Sequence, residues 1–203
     1  MEKKGIQLTP EEIYSINNSS LKDAIVSINN GACIGTLLSN EGLMLTCYSC
    51  AHQFIQANTS AELNILQNGF WAKTKQQELR NSGLSASILV RVEDVTAKVL
   101  ANIHPSANNK QQLIDENIAT LIQEAIANTT HTASIKSFFE GNEYYMFVYT
   151  TFEDVRLVGT PSQQLGMYGG DNDNWNWPRY KPDFTFFRIY TSPTGEPSMY
   201  SLK

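Results

Sequence analysis

Nowhere in the 203 residues does the chain run through the roughly 20 consecutive apolar residues that a helix needs to cross a bilayer, so a membrane-spanning helix is excluded and no membrane partner is expected. An excess of basic charge is missing too. Fifteen Lys and Arg stand against twenty Asp and Glu, a formal charge of −5 without long runs of either sign, which disfavours nucleic acid as a partner. With 17% charged and 41% hydrophobic residues, the chain lacks the coupling of high net charge to low hydrophobicity that keeps polypeptides disordered. Cysteine is scarce and odd in number: Cys33 stands apart, Cys47 and Cys50 are three residues from one another, and one pair plus one spare is the simplest reading. Histidine is limited to His52, His104 and His131. Residues 1–5 lead into a polar helix instead of an apolar signal core, so an unexported chain is expected. Neither an internal repeat nor a low-complexity tract is found.

What is present reads as one domain of mainly β-structure. Thr9-Pro10-Glu11-Glu12 places Thr at a helix N-cap, Pro at the first helical position and Glu three residues after the cap, a capping box that predicts a short helix. Three apolar runs follow, over residues 25–28, 33–38 and 43–46. They are separated by Asn29-Asn30-Gly31 and Ser39-Asn40-Glu41-Gly42, turn residues that tolerate positive φ, so the spacing predicts a β-meander. Residues 51–80 read as helical with breaks, and Gly83 as a helix C-cap. Between residues 84 and 92, Leu84, Ala86, Ile88, Val90 and Val92 alternate, predicting a half-buried strand with that set facing inward. Over residues 110–128 the period becomes helical, with Leu113, Ile114, Ile118, Leu121, Ile122, Ala125 and Ile126 in one stripe. Strands return at residues 144–152, 155–159 and 184–190. The first and last of these are apolar on both sides, so both faces need cover and an exposed apolar face is expected if cover is lacking. The Gly-, Asn- and Trp-rich loop of residues 169–182 is too long for a plain connector and is the first candidate for a functional surface.

Cys33-Ile34-Gly35-Thr36-Leu37-Leu38-Ser39, a turn, and Leu43-Met44-Leu45-Thr46-Cys47-Tyr48-Ser49-Cys50 follow the outline of the first hairpin of chymotrypsin-like proteases. Further segments resemble one family closely: Gly69-Phe70-Trp71-Ala72, Val90-Arg91-Val92-Glu93-Asp94-Val95-Thr96, Gly141-Asn142-Glu143-Tyr144-Tyr145 and Asp154-Val155-Arg156-Leu157-Val158-Gly159. Most specific is Gly169-Gly170-Asp171-Asn172-Asp173-Asn174-Trp175-Asn176-Trp177-Pro178-Arg179, followed by Asp183-Phe184. Along nearly its whole length the chain resembles the amino-terminal part of the bacterial serine dipeptidyl-peptidases known as seven and eleven.

That resemblance implies a chymotrypsin-like antiparallel β-barrel with helical additions, here an incomplete double barrel. Residues 1–24 would form a helical arm and 25–203 the barrel, with helical insertions near 51–80 and 110–128. It implies hydrolysis that releases dipeptides from peptides with a free amino terminus, in the periplasm or outside the cell, without a cofactor. Carried over by position, the family's Asn-His-His-Cys falls on Cys47-Tyr48-Ser49-Cys50, so Ser49 stands where the catalytic histidine would be. The triad acid falls on Asp183, expected beside Ser49, and the nucleophilic serine belongs to a Gly-Asn-Ser-Gly-Ser segment beyond this chain. Asn174 and Trp175 take the places that receive the substrate's ammonium group, an amide oxygen accepting from it and an indole face attracting the cation. Cys33 and Cys50 would form the hairpin disulfide, leaving Cys47 free.

Ser82 echoes part of the nucleophile segment but lacks the glycine before it. His52, three residues after Ser49, lies on nearly the same helical face, yet one turn is further than a triad base tolerates, so a surface histidine is expected. Asp171 and Asp173 read as loop braces, because no glycine-bearing calcium-loop spacing follows them. Inactivity of the chain alone is expected, with a missing carboxy-terminal half as a partner. Three other readings stay open: a non-catalytic module binding peptide amino termini, a remnant or split reading frame, and a zinc or redox site built from Cys33, Cys47, Cys50 and His52.

Overall fold

The computed structural model describes residues 5, 7–15, 20–104, 109–168 and 180–190. The capping box forms at α1 (Pro10–Ile13): the Glu12 N–H donates to Thr9 Oγ1 at 3.2 Å and the Thr9 N–H to Glu12 Oε2 at 2.7 Å. The meander forms as β1 (Ile25–Ile28), β2 (Cys33–Leu37) and β3 (Leu43–Thr46). Asn29, Asn30 and Gly31 all adopt positive φ in its first turn. Helices α2 (Tyr48–Ala57) and α3 (Ile65–Asn68) follow. The rest of the region expected to be helical instead carries the short strands β4 (Phe70–Trp71) and β5 (Leu79–Arg80), both paired to a later strand. Gly83, at φ 76°, therefore belongs to a turn between strands and is not a helix cap.

Beyond β6 (Ala86–Asp94) come α4 (Thr96–Val99), α5 (Lys110–Ile126), β7 (His131–Phe138), β8 (Glu143–Phe152), β9 (Asp154–Thr160), α6 (Gln163–Gly166) and β10 (Thr185–Tyr190). All strand pairs among the described residues are antiparallel, in the order β4-β9-β10-β3-β2-β1-β6-β8-β7, with β5 also on β9.

Chain length forces this sheet to curl. From β5 through β9, β10, β3, β2 and β1 to β6 there are six inter-strand steps of about 4.8 Å, roughly 29 Å in a flat sheet. Arg80 ends β5 and Ala86 begins β6, and the chain between them reaches about 21 Å at most. The two edges must approach, so the strands wrap into a barrel around Val26, Met44, Ala86, Val155, Leu157 and Phe187. Tyr48, Ala51, Phe54 and Ile55, one face of α2, pack into the same core. Strands β6, β8 and β7 continue beyond the barrel as a wing. Under it the α5 stripe packs Ile114, Ile118, Leu121 and Ala125 against Tyr144, Met146 and Val148 of β8.

The inward alternation expected for residues 84–92 fails halfway. Ala86 and Ile88 are buried, but the β6–β8 register shifts between Leu89 and Arg91, and Val90 and Val92 are 49% and 38% exposed. One extra residue at the bulge reverses the phase of every side chain after it. Val90 and Val92 join Ile25, Ile34, Phe147 and Tyr149 in an outer groove of about 490 Å³. Among the described residues this apolar face of β8 is only partly covered, Phe147 and Tyr149 being half-buried; on β10, Phe186 is instead met by Trp71 and Phe184. Ile34→Lys, at a side chain 66% exposed, is expected to change stability by less than about 0.5 kcal/mol while reducing self-association, measured by light scattering. Equal scattering by parent and variant would remove the groove as the cause.

Candidate functional site

Sheet register builds the site. Thr185 of β10 lies opposite Thr46 of β3, so two residues before the one and two after the other bring Asp183 to Tyr48, the first residue of α2. Cys47, at the N-cap, makes no side-chain capping bond. Asp183 supplies it from 135 residues away: its Oδ1 accepts the Tyr48 N–H at 2.8 Å. A carboxylate there satisfies an orphan donor and meets the positive end of the helix dipole. Its Oδ2 pairs with Lys181 Nζ at 3.2 Å. Asp183 thus reaches the turn that carries Ser49, but through the backbone of Tyr48. The exposed Ser49 hydroxyl lies instead 3.1 Å from Cys47 Sγ.

Cys33 and Cys50 are bridged, with Cα atoms 6.0 Å apart, tying the start of β2 to the first turn of α2. A zinc set of Cys33, Cys47, Cys50 and His52 cannot form beside that bond, because bridged sulfurs are not thiolate ligands. Closing a loop across a separation of 17 residues is worth about 3 kcal/mol in the chain-entropy model. Cys50→Ser is therefore expected to lower Tm by roughly 6–12 °C and to abolish the response of the melt to reductant. An unchanged melt would show that the bridge does not constrain the unfolded chain.

Tyr48 is fully buried, and its ring lies against α6 so closely that a Cβ on Gly166 would sit 2.3 Å from Cδ2. Only glycine admits the ring there. Burial raises the pKa of the Tyr48 phenol. One turn on, the His52 ring stands 6.0 Å from that of Tyr48, and Nε2 is buried. Among the described residues neither Tyr48 OH nor His52 Nε2 has a hydrogen-bond partner. The expected surface histidine is thus turned inward, because residues four apart share the buried face of α2. His131, in which the sequence shows no partner, bonds through Nδ1 to Thr150 Oγ1 at 3.2 Å, its neighbour across β7 and β8. Ser82 stands exposed in the turn between β5 and β6. Asn174, Trp175, Trp177, Asp171 and Asp173 lie outside the described residues.

One polar cluster leaves almost no trace in the sequence. Arg80, Arg156 and Arg188 lie side by side across β5, β9 and β10, an arrangement that repels unless acids intervene. Asp154 takes Arg156 in two bonds, at 2.9 and 2.7 Å, which lower its carboxyl pKa. Buried Glu78 accepts from Arg188 Nε at 2.9 and 3.2 Å and from Tyr190 OH at 2.5 Å. The Arg156 guanidinium covers the Tyr190 ring at 3.9 Å. Asp154 and Arg156, two apart on one strand face, are the only local signal; Glu78 is found only through register.

The description Peptidase S46 belongs to a family model that matches residues 1–203. The chain is 44% identical over 203 residues to dipeptidyl-peptidase 7 of Capnocytophaga gingivalis, and 42% identical to an Asp/Glu-specific dipeptidyl-peptidase of the same organism. Each alignment covers 99% of this chain but 28% of the relative. The crystal structure of Porphyromonas endodontalis DPP11 in complex with the dipeptide Arg-Glu superposes with a TM-score of 0.82 at 40% identity, covering 98% of this chain and 30% of that one. The chain therefore spans less than a third of the length of these relatives.

Proposed function

The chain belongs to the peptidase S46 family, and on that premise we propose that it is the amino-terminal part of a degenerate, chymotrypsin-like serine dipeptidyl-peptidase that binds peptides with a free amino terminus and does not itself cleave them. The observation that carries this reading is Asp183 at the first turn of α2, with its carboxylate on Tyr48 and Ser49 next along the turn. In the family's arrangement that acid would orient an imidazole. A serine hydroxyl in its place can share hydrogen bonds but cannot accept a proton near neutral pH.

Peptide binding is supported by the Arg-Glu and Arg-Asp dipeptides held in the related crystal structures. Asn174 and Trp175 would receive the ammonium group. The part of the relatives' length beyond the match is the partner this reading requires. An oxidising compartment, such as the periplasm, agrees with a bridged Cys33–Cys50 pair.

The test is calorimetric titration of short peptides with free or acetylated amino termini, alongside an assay for released dipeptides. Binding of the free peptide, weaker binding of the acetylated one and no dipeptide release are expected. Dipeptide release by the unaltered chain, or equal binding of both peptides, would overturn the proposal.

A further inference from the structure

Three sulfur atoms meet at the start of α2, and only two of them are bonded to each other. Cys47, half-buried and free, directs its thiol at Cys50 Sγ, 3.1 Å away, while Cys50 is bridged to Cys33. We propose that Cys47 is an intramolecular exchange thiol that converts the Cys33–Cys50 bridge into a Cys47–Cys50 bridge and releases Cys33.

The step balances without an external oxidant. Cys47 loses its proton to solvent, the thiolate electron pair attacks Cys50 Sγ, the Cys47–Cys50 bond forms as the Cys33–Cys50 bond breaks, and the leaving pair on Cys33 Sγ takes up a proton. Geometry favours this route at the attacking end. The attacking sulfur is already 3.1 Å from the sulfur it must reach, and the Ser49 hydroxyl sits 3.1 Å from it as well. Cys47 occupies the N-cap of a ten-residue helix and Cys50 lies three residues on, the Cys-x-x-Cys spacing at a helix start on which dithiol pairs are built. No side-chain capping bond holds Cys47 away from that role.

The two bridges differ in what they tie. Cys33–Cys50 fastens α2 to β2, whereas Cys47–Cys50 fastens the first turn of α2 only to itself, leaving the Asp183 bond to Tyr48 as a tie across the sheet. Ser49 lies between the exchanging cysteines, so the exchange alters the backbone on both sides of it. This inference does not depend on the peptidase reading, since it concerns sulfur chemistry alone.

The test uses the full chain, incubated near pH 8 without reductant, quenched in acid, digested with pepsin under acid and mapped by mass spectrometry. Both Cys33–Cys50 and Cys47–Cys50 peptides are expected from the parent, and only Cys33–Cys50 from Cys47→Ser. Cys33→Ser, incubated with oxidised glutathione, is expected to close a Cys47–Cys50 bridge. A parent that yields Cys33–Cys50 alone, or a Cys33→Ser chain that keeps two thiols or only glutathione adducts, overturns the proposal.

Discussion

Replacing Ser49 with histidine, in a fusion that adds the downstream part of a related dipeptidyl-peptidase, is expected to release dipeptides from free amino termini roughly ten-thousand-fold faster than the same fusion with Ser49. The estimate follows from the cost of removing one member of a catalytic triad, several orders of magnitude in turnover. Asp183 already lies at the helix start, with Oδ1 on the Tyr48 N–H and Oδ2 on a lysine that solvent reaches. An imidazole at position 49 needs one of those oxygens to hold its tautomer. Asp183→Ala in the histidine fusion should therefore lose a similar factor, by a second and independent route. If the histidine fusion folds, as judged by a cooperative melt, and stays as slow as its Ser49 counterpart, the placement of the triad on these residues is wrong.

Glu78→Ala is expected to cost about 3–5 kcal/mol, the largest stability loss in this part of the barrel. Its carboxylate is 3% exposed and answers both Arg188 and Tyr190. Among the described residues, truncation leaves a guanidinium that is 13% exposed with the Glu41 carboxylate at 3.8 Å and the Glu41 carbonyl at 3.2 Å. A buried charge stripped of its partner loses more than the pair ever contributed net. Glu78→Gln, which keeps an acceptor, should lose about 1–3 kcal/mol. Urea unfolding gives both numbers, and an alanine variant within about 1 kcal/mol of the parent would show that water replaces the carboxylate freely. The same cluster sets an alkaline limit. Burial, and then the bond to Glu78, push the Tyr190 phenol up to about 12. A raised folded value means a contribution complete below the unfolded value of about 10 and lost as pH rises through about 12. Stability measured across that window should fall, and Tyr190→Phe should flatten the fall.

Short-range chemistry was readable wherever it decided the outcome. The Thr9 and Glu12 box, the Asn29-Asn30-Gly31 turn and the α5 stripe depend on residues a few positions apart, so the sequence alone determined α1, the meander and the face that α5 presents to β8. The motifs around residues 169–179, with Asp183 after them, were enough to indicate the family. Only the tertiary structure decided the rest. The strand pairs Phe70–Trp71 and Leu79–Arg80 have too few residues to show a period, and they become strands because β9 offers them an open edge. Val90 and Val92 face outward because of a bulge that no local pattern encodes. Asp183 meets Tyr48 across 135 residues, Glu78 meets Tyr190 across 112, and Cys47 touches a bridge that exists only once β2 and α2 are side by side. The Asp183 and Glu78 contacts are products of antiparallel register in a curled sheet, where the partner of a residue is fixed by the path of the strands and not by its neighbours in the chain, and the Cys33–Cys50 bridge likewise needs β2 and α2 brought together.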